Sequence, residues 1–323
     1  MKACVYEKAK ESASLVLRDI TAPVPGAGEV LIRVISTGLN AADYRSAQMG
    51  IIPRHRIFGA DVAGIVEAVG ANVTTWRVGD EVTGDLSGVG FGGLAEYVTA
   101  PEKALSRKPS TVDFDTVAAL PLASVTALQG IRNSGLLQKG QSVLICGAGG
   151  GVGTYAVQLC RYFGADVTAL CGPANVDRIQ ALGAGKVVDY TKTDLKDLPA
   201  IFDLVLLING AYSSRQIRKL MKPQAICVTI GGAISHVMKT MFFSPFLSIG
   251  KKKFRLLSAK PNGDDLSFIL QLVEKGEITP VIDRKIPLAE APEAFRYLRQ
   301  GHSRGKIVVQ ISEATSQSGP TVK

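Results

Sequence analysis

The chain has 323 residues, 46% of them hydrophobic and 20% charged, with 34 glycines. It is too long for one small module and too apolar for a disordered chain, which leaves an enzyme-sized globular protein of one or two domains. A chain of this size buries roughly three quarters of the surface it exposes when unfolded, so it needs neither disulfides nor a structural metal to hold a core. The formal charge of +9 comes from 37 basic against 28 acidic residues. It is scattered except at Lys251, Lys252, Lys253 and Arg255, a run that reads as solvated surface before it reads as a nucleic-acid or anionic-membrane patch.

The five cysteines, Cys4, Cys146, Cys160, Cys171 and Cys227, are odd in number and contain no C-x-x-C pair. That argues against a disulfide framework or a structural zinc and for a reducing compartment. The N-terminus lacks an apolar core of signal-peptide length, and Glu7 and Glu11 interrupt its lysines. The longest apolar runs, 201–208 and 241–249, fall well short of the ~18 residues needed to cross a bilayer. A cytoplasmic protein with no membrane span is expected.

In chain order, the first ~120 residues carry short β-like runs punctuated by glycine, at 29–35, 63–69, 81–83 and 95–98, the pattern of a twisted barrel-like or sandwich domain. Pro23, Pro25 and Gly26-Ala27-Gly28 mark a connection between early strands. From about Ser124 strand and helix alternate. An apolar run at 143–146 precedes a glycine cluster, after which Val152, Ala156, Leu159 and Phe163 fall at helical spacing, with Gly164 placed to end the helix. Runs at 167–170, 187–189, 202–208, 225–230 and 254–259 supply further buried strands, so the rhythm predicts βαβ units on a parallel sheet. A helix carrying Leu266, Ile269, Leu270 and Val273 closes at Gly276, and another runs from Pro292 through Ala294, Phe295 and Leu298 to Gly301. A strand at 306–309 returns to the first domain, and the tail at 312–323 is polar and expected to fray.

The sharpest chemical signal is Gly147-Ala148-Gly149-Gly150-Gly151-Val152-Gly153, between an apolar strand and an amphipathic helix. A dinucleotide site needs a tight first turn, a middle glycine that lets the backbone approach the pyrophosphate, and a last glycine that lets helix and strand pack closely. The helix N-terminal amides then face the phosphates. Ala148, Gly150 and Gly153 fit that register, with alanine in first place. An NAD site places an acid about 20 residues on, to bind the ribose hydroxyls. Here the chain reads Cys171-Gly172-Pro173-Ala174-Asn175, with no acid at 167–176. NADP is therefore favoured over NAD, with Arg178, Tyr190 and Lys186 as nearby candidates for the 2′-phosphate.

Three histidines, His55, His236 and His302, lie outside any H-E-x-x-H or acidic cluster at metal spacing and read as ordinary imidazoles, although His302 stands just before Arg304-Gly305-Lys306. Reducing a plain carbonyl requires strong polarisation of the oxygen, commonly by zinc or a tyrosine-lysine pair. A quinone or α,β-unsaturated carbonyl is easier, because hydride adds at the far end of the conjugated system and leaves an enolate.

Five stretches stand out together: Gly38-Leu39-Asn40-Ala41-Ala42-Asp43-Tyr44, Phe58-Gly59-Ala60-Asp61-Val62-Ala63-Gly64-Ile65-Val66, Val78-Gly79-Asp80-Glu81-Val82, Gly93-Leu94-Ala95-Glu96-Tyr97 and the glycine cluster. In this order they resemble the medium-chain dehydrogenase/reductase superfamily, in its zinc-free quinone oxidoreductase branch, which includes the zeta-crystallins and the chloroplast-envelope quinone oxidoreductase homologues. Asn40 stands where zinc members carry a catalytic cysteine, Gly59-Ala60-Asp61 where they carry Gly-His-Glu, and the loop 85–93 has no cysteine. The resemblance implies a GroES-like β-barrel domain (1–122 and 263–311), an α/β Rossmann domain with a doubly wound parallel sheet (123–262), a flexible tail (312–323), an active cleft between the domains and a homodimer. It implies that Asn40 and Tyr44 are active-site polar groups and that Thr126 contacts the nicotinamide portion. Gly150, Gly151, Val152 and Gly153 would form the pyrophosphate loop, and Gly172, Asn175 and Tyr190 the adenosine-phosphate region. Relatives with a similar loop carry arginine where Ala174 stands. Asp43 reads as a helix cap and Cys171 as a small filler.

The expected activity is NADPH-dependent, zinc-independent reduction of quinones or enones, with Asn40 or Tyr44 orienting the acceptor and solvent supplying the proton. A 2-enoyl thioester reductase on the same scaffold, and a non-catalytic NADPH-binding protein with a nucleic-acid or stress-related role, are the alternatives.

Overall fold

A computed structural model describes residues 1–8, 13–53, 55–209, 212–231, 248, 250–301 and 303–313. His236, His302, nearly all of the 241–249 run and the tail from 314 lie outside the described residues.

Continuous apolar runs become central strands of a parallel sheet because such strands are covered on both faces. The runs form β8 (Ser142–Cys146), β9 (Asp166–Cys171), β10 (Lys186–Asp189), β11 (Phe202–Leu207), β12 (Met221–Thr229) and β13 (Lys253–Leu256), ordered β10-β9-β8-β11-β12-β13 with every pairing parallel. In order of appearance that is 3-2-1-4-5-6, the doubly wound arrangement whose ligand crevice opens at the carboxyl ends where the order reverses. The core on one face holds Val143, Ile145, Ala156 and Leu159; the other holds Leu144, Cys146, Leu170 and Val205. Inward side chains of this kind contribute on the order of 2 kcal/mol each when fully buried.

The remaining strands build the second unit. A hairpin of β1 (Lys2–Lys8) and β2 (Ala13–Asp19) stands apart from a seven-stranded sheet. That sheet contains β3 (Glu29–Leu39), β4 (Asp61–Val69), β5 (Glu81–Asp85), β6 (Tyr97–Pro101), β7 (Leu105–Arg107), β14 (Ile282–Pro287) and β15 (Lys306–Gln310). Its order is β14-β15-β3-β4-β5-β7, with β6 also on β3.

The helices that matter for the site are α1 (Ala41–Gln48), α2 (Phe114–Ala118), α3 (Pro121–Gln129), α4 (Gly151–Tyr162), α5 (Val176–Ala181), α6 (Ser214–Leu220), α7 (Gly263–Glu274) and α8 (Ala291–Arg299). As the sequence requires, α4, α7 and α8 each run out just before a glycine in the left-handed region, Gly164 (φ 74°), Gly276 (φ 73°) and Gly301 (φ 78°). The fully buried Tyr155 of α4 donates its hydroxyl to Ala119 O at 2.9 Å, which ties the parallel-sheet unit to the segment between α2 and α3 and is worth about 1 kcal/mol. Antiparallel pairing of β15 with β3, Ile307 opposite Leu39, brings Lys306 beside Asn40.

Candidate active site

The carboxyl ends of the parallel strands open onto a cleft of about 720 Å³ whose far wall comes from α1, β5 and the start of β15. Nine of the ten residues singled out above, Asn40, Tyr44, Thr126, Gly150, Gly151, Val152, Gly172, Asn175 and Tyr190, line it. The tenth, Gly153, packs beneath it.

At the glycine-rich end the left-handed residue is Gly147 (φ 91°), one place ahead of the alanine that the register put first. A side chain at 147 would meet the Asn209 backbone at 2.8 Å, whereas Ala148 is in a conformation open to alanine and is fully buried. Gly150 caps α4 with no side-chain hydrogen bond, so the first amides of that helix have no helical acceptor and present a partial positive charge to the cleft. A β-carbon on Gly153 would lie 2.2 Å from Gly147 O, so helix and turn touch only because this position has none.

Asn175 packs under Gly149, where a β-carbon would sit 2.6 Å from its Nδ2, and its buried Oδ1 has no hydrogen-bond partner. An orphaned buried acceptor costs ~1–3 kcal/mol unless a donor supplies it. The Tyr190 ring stands over Gly172 and is 56% exposed, so it is not a packed sheet aromatic. The Arg178 guanidinium donates to Arg304 O at 2.6 Å, and Arg304 lines the cleft while Lys186 does not. An orphaned acceptor, unsatisfied helix amides and glycines that a β-carbon would block together fit a dinucleotide.

The opposite end is a buried polar cluster. Asn40, at the N-cap position of α1, donates through Nδ2 to Gly38 O at 3.0 Å and to Asp61 Oδ2 at 2.8 Å. Lys306 Nζ donates to Asn40 Oδ1 at 2.6 Å and to Asp61 Oδ2 at 2.9 Å, and Asp61 Oδ1 accepts Leu122 N–H at 2.8 Å. Both amide hydrogens of Asn40 are thus committed within the protein, so Asn40 has no donor left for a carbonyl in the cleft. The ammonium keeps one hydrogen beyond the two it spends here. Asn40 and Asp61 thus converge on a lysine. The lysine stem passes over Gly151, where a β-carbon would lie 3.0 Å from its Cδ, so this cluster also abuts the glycine loop.

Sequence reasoning passed over Lys306 and gave Asp61 only a place in a motif. The stretch Ser303-Arg304-Gly305-Lys306 carries only a glycine ahead of a strand, which does not mark the lysine as buried.

Asp43 is a structural brace, as its position in the helix suggested. Its fully buried carboxyl accepts the amides of Asn40 (2.7 Å), Gly59 (3.2 Å) and Ala60 (3.0 Å). Tyr44 lines the cleft, packed edge-on against Phe295 at 6.4 Å with the Arg45 guanidinium over its ring, 5.7 Å from the centre. Cys171 is buried, and burial followed by the nearby Asp189 charge pushes its thiol up to about 11, which suits an inert filler. His55 is exposed and outside the cleft. Within the basic run, Lys252 and Arg255 are spent on the carbonyls of Arg218 (2.7 Å) and Ser134 (2.6 Å).

A doubly wound sheet with a glycine turn, joined to an antiparallel sheet across a polar cleft, defines a nucleotide-dependent oxidoreductase scaffold. Residues 26–110 match the alcohol dehydrogenase GroES-like domain, and residues 182–309 match the zinc-binding dehydrogenase family. The chain is 35% identical over 316 residues to a chloroplast envelope quinone oxidoreductase homolog of Arabidopsis thaliana, covering 93% of this chain and 94% of that one. It is 33% identical to an NADPH-dependent alkenal/one oxidoreductase of the same plant, covering 96% and 79%. The structure of a quinone oxidoreductase from Coxiella burnetii superposes with a TM-score of 0.84 at 25% identity, covering 96% and 99%. The chain belongs to the medium-chain dehydrogenase/reductase superfamily, in its quinone oxidoreductase branch. Although one matching family is named for zinc, the described residues contain no group of three or more His, Cys, Asp or Glu able to hold a metal. No helix among them is long and apolar enough to cross a membrane.

Proposed function

We propose that this protein is an NADPH-dependent, zinc-independent reductase of quinones and α,β-unsaturated carbonyls. The observation that carries the reading is one continuous cleft reaching from the glycine turn to a buried lysine held by Asn40 and Asp61. When bound, NADPH supplies a hydride to the electrophilic carbon of a conjugated acceptor.

The chain's own residues supply binding and orientation. The α4 amides and Gly150 would receive the pyrophosphate, Asn175 Oδ1 would accept a donor from the nucleotide, and Thr126, buried in α3, would hold the nicotinamide portion. Gly172, Tyr190 and Arg304 border the adenosine end, where among the described residues no carboxylate lines the cleft to repel a 2′-phosphate, and this supports NADPH over NADH. Asn40 positions Lys306, and the remaining Lys306 hydrogen together with the Tyr44 hydroxyl orients the acceptor oxygen. A fixed ammonium on a side chain only 2% exposed stabilises developing enolate charge, with no reorganisation at the moment of reaction. A homodimer in a reducing, cytoplasmic setting accompanies the reading, in keeping with five buried free cysteines.

The test is NADPH consumption, followed by absorbance, with a panel of quinones, enones and crotonyl-CoA. Acceptor-dependent consumption by quinones or enones supports the proposal; a preference for crotonyl-CoA would move the assignment to a thioester reductase.

A further inference from the structure

Reduction of an enone needs a proton at the α carbon as well as a hydride at the β carbon, and the expectation from sequence for its source is solvent. The cleft contains a second buried carboxyl. Asp61 on β4 and Asp85 on β5 are direct cross-strand partners, and strand alternation puts both on the face toward α3. Their surroundings differ sharply. Asp61 is fully buried and is met by the Lys306 ammonium, the Asn40 amide and the Leu122 N–H. Asp85, 8% exposed, accepts the Ser87 amide at 2.8 Å and is also hydrogen-bonded by the Ser87 side chain, and among the described residues it is in no ion pair.

Asp85 borders the main cleft beside Ser87, Val125 and Pro261, at the end away from the adenosine region. It also borders a second cavity of about 40 Å³ that reaches Lys103 at the surface, enough for a single water. The charged groups around it are Asp61 on β4, Lys306 on β15, Lys103 before β7 and Lys260 ahead of α7. Burial, and then the Asp61 charge, pushes the Asp85 carboxyl up to about 6, against the opposing pull of Ser87 and Lys306. Two neighbouring carboxyls, one engaged by an ammonium and two amide donors and the other facing the cleft with no cation against it among the described residues, have environments different enough to serve different roles.

We propose that Asp85 is the catalytic general acid that protonates the α carbon of the reduced acceptor, while Asp61 beside it is engaged by Lys306. The inference rests on the proposed enone chemistry. After the β carbon has gained its C–H bond with the hydride electron pair, the enone is an enolate. Its α carbon uses the enolate pair to take the Asp85 proton; the O–H bond breaks, and its electrons remain on the carboxylate. The enone is reduced by two electrons and NADPH is oxidised to NADP⁺. Water in the cavity toward Lys103 returns a proton to Asp85.

The experiment uses the full chain with 2-methylcyclohexenone, whose α carbon becomes a stereocentre on protonation. In the wild-type protein kcat falls with rising pH on a single ionisation, and the product is enriched in one enantiomer. Asp85→Asn, with NADPH affinity unchanged, loses that ionisation, falls by about 10²-fold in kcat and gives a racemic α centre. Asp85→Ser does the same and serves if the asparagine variant does not fold. Carbon-13 NMR of aspartate carboxyls in the ligand-free protein shows a resonance titrating near 6 that is absent from either variant. Variants that keep the wild-type pH limb and enantiomeric excess overturn the role of Asp85 and leave the reductase reading intact. A wild-type protein that consumes no NADPH with any conjugated acceptor removes both.

Discussion

Lys306 Nζ lies 2.9 Å from Asp61 Oδ2, with the two side chains 2% and 0% exposed, so the last strand and β4 are joined by an ion pair closed off from water. Removing one partner leaves the other charge buried without compensation, which costs about 3–5 kcal/mol. Lys306→Met is expected to lower the urea unfolding free energy by that amount, and adding Asp61→Leu to recover most of it. A loss below ~1 kcal/mol for the single variant would mean that water enters the cluster freely.

Gly153→Val puts side-chain atoms into the turn, where even a β-carbon would lie 2.2 Å from Gly147 O. Separation of α4 from the turn removes the amide cradle. NADPH affinity, followed by nucleotide fluorescence, is expected to fall at least ~10²-fold, about 2.7 kcal/mol. Unchanged affinity would show that the nucleotide does not lie against this turn.

Cys171→Asp introduces a carboxylate at the end of β9, beside Gly172 and the Tyr190 ring, where it would accept a hydrogen bond from a ribose hydroxyl and repel a 2′-phosphate. The ratio of kcat/KM for NADPH over NADH is expected to drop by roughly tenfold or more, about 1.4 kcal/mol. A constant ratio would assign cofactor choice to another part of the cleft.

Stability carries the signature of the raised carboxyls. Burial lifts Asp43 to about 7 and Asp85 to about 6. Each therefore binds its proton more tightly folded than unfolded, so its contribution is fully present below the ordinary aspartate range. It is lost as pH rises through the folded value, and the wild-type protein is expected to lose stability between about pH 4 and pH 7. Asp85→Asn removes one of the two ionisations. It should be more stable than wild type at pH 8, by up to roughly 3 kcal/mol, with the difference gone near pH 4. Parallel stability profiles for the two proteins would contradict this.

The parallel-sheet half was legible because buried strands leave unbroken apolar runs and its turns need glycine; β8, α4 and β9 appear where the pattern places them. Weaker signals went unread. β7 has only three residues, and β14, reading Ile-Asp-Arg-Lys-Ile-Pro with polar residues at its centre, shows no alternation that would mark a strand. The site was legible where chemistry is local, as in Gly150 to Gly153 and the Cys171 to Asn175 turn. It was hidden where chemistry depends on contacts between distant segments. Lys306 meets Asn40 across 266 positions and Asp61 across 245, and nothing in the spacing of a lysine after a glycine announces that it will be buried. Asn40 was read as a substrate contact because its committed hydrogens are visible only in three dimensions.

The most direct test of the whole account is turnover of NADPH with quinones and enones by protein exhaustively treated with chelators. The account predicts acceptor-dependent loss of absorbance at an undiminished rate. No loss with any acceptor, or a rate restored only by adding back a divalent metal, would contradict it.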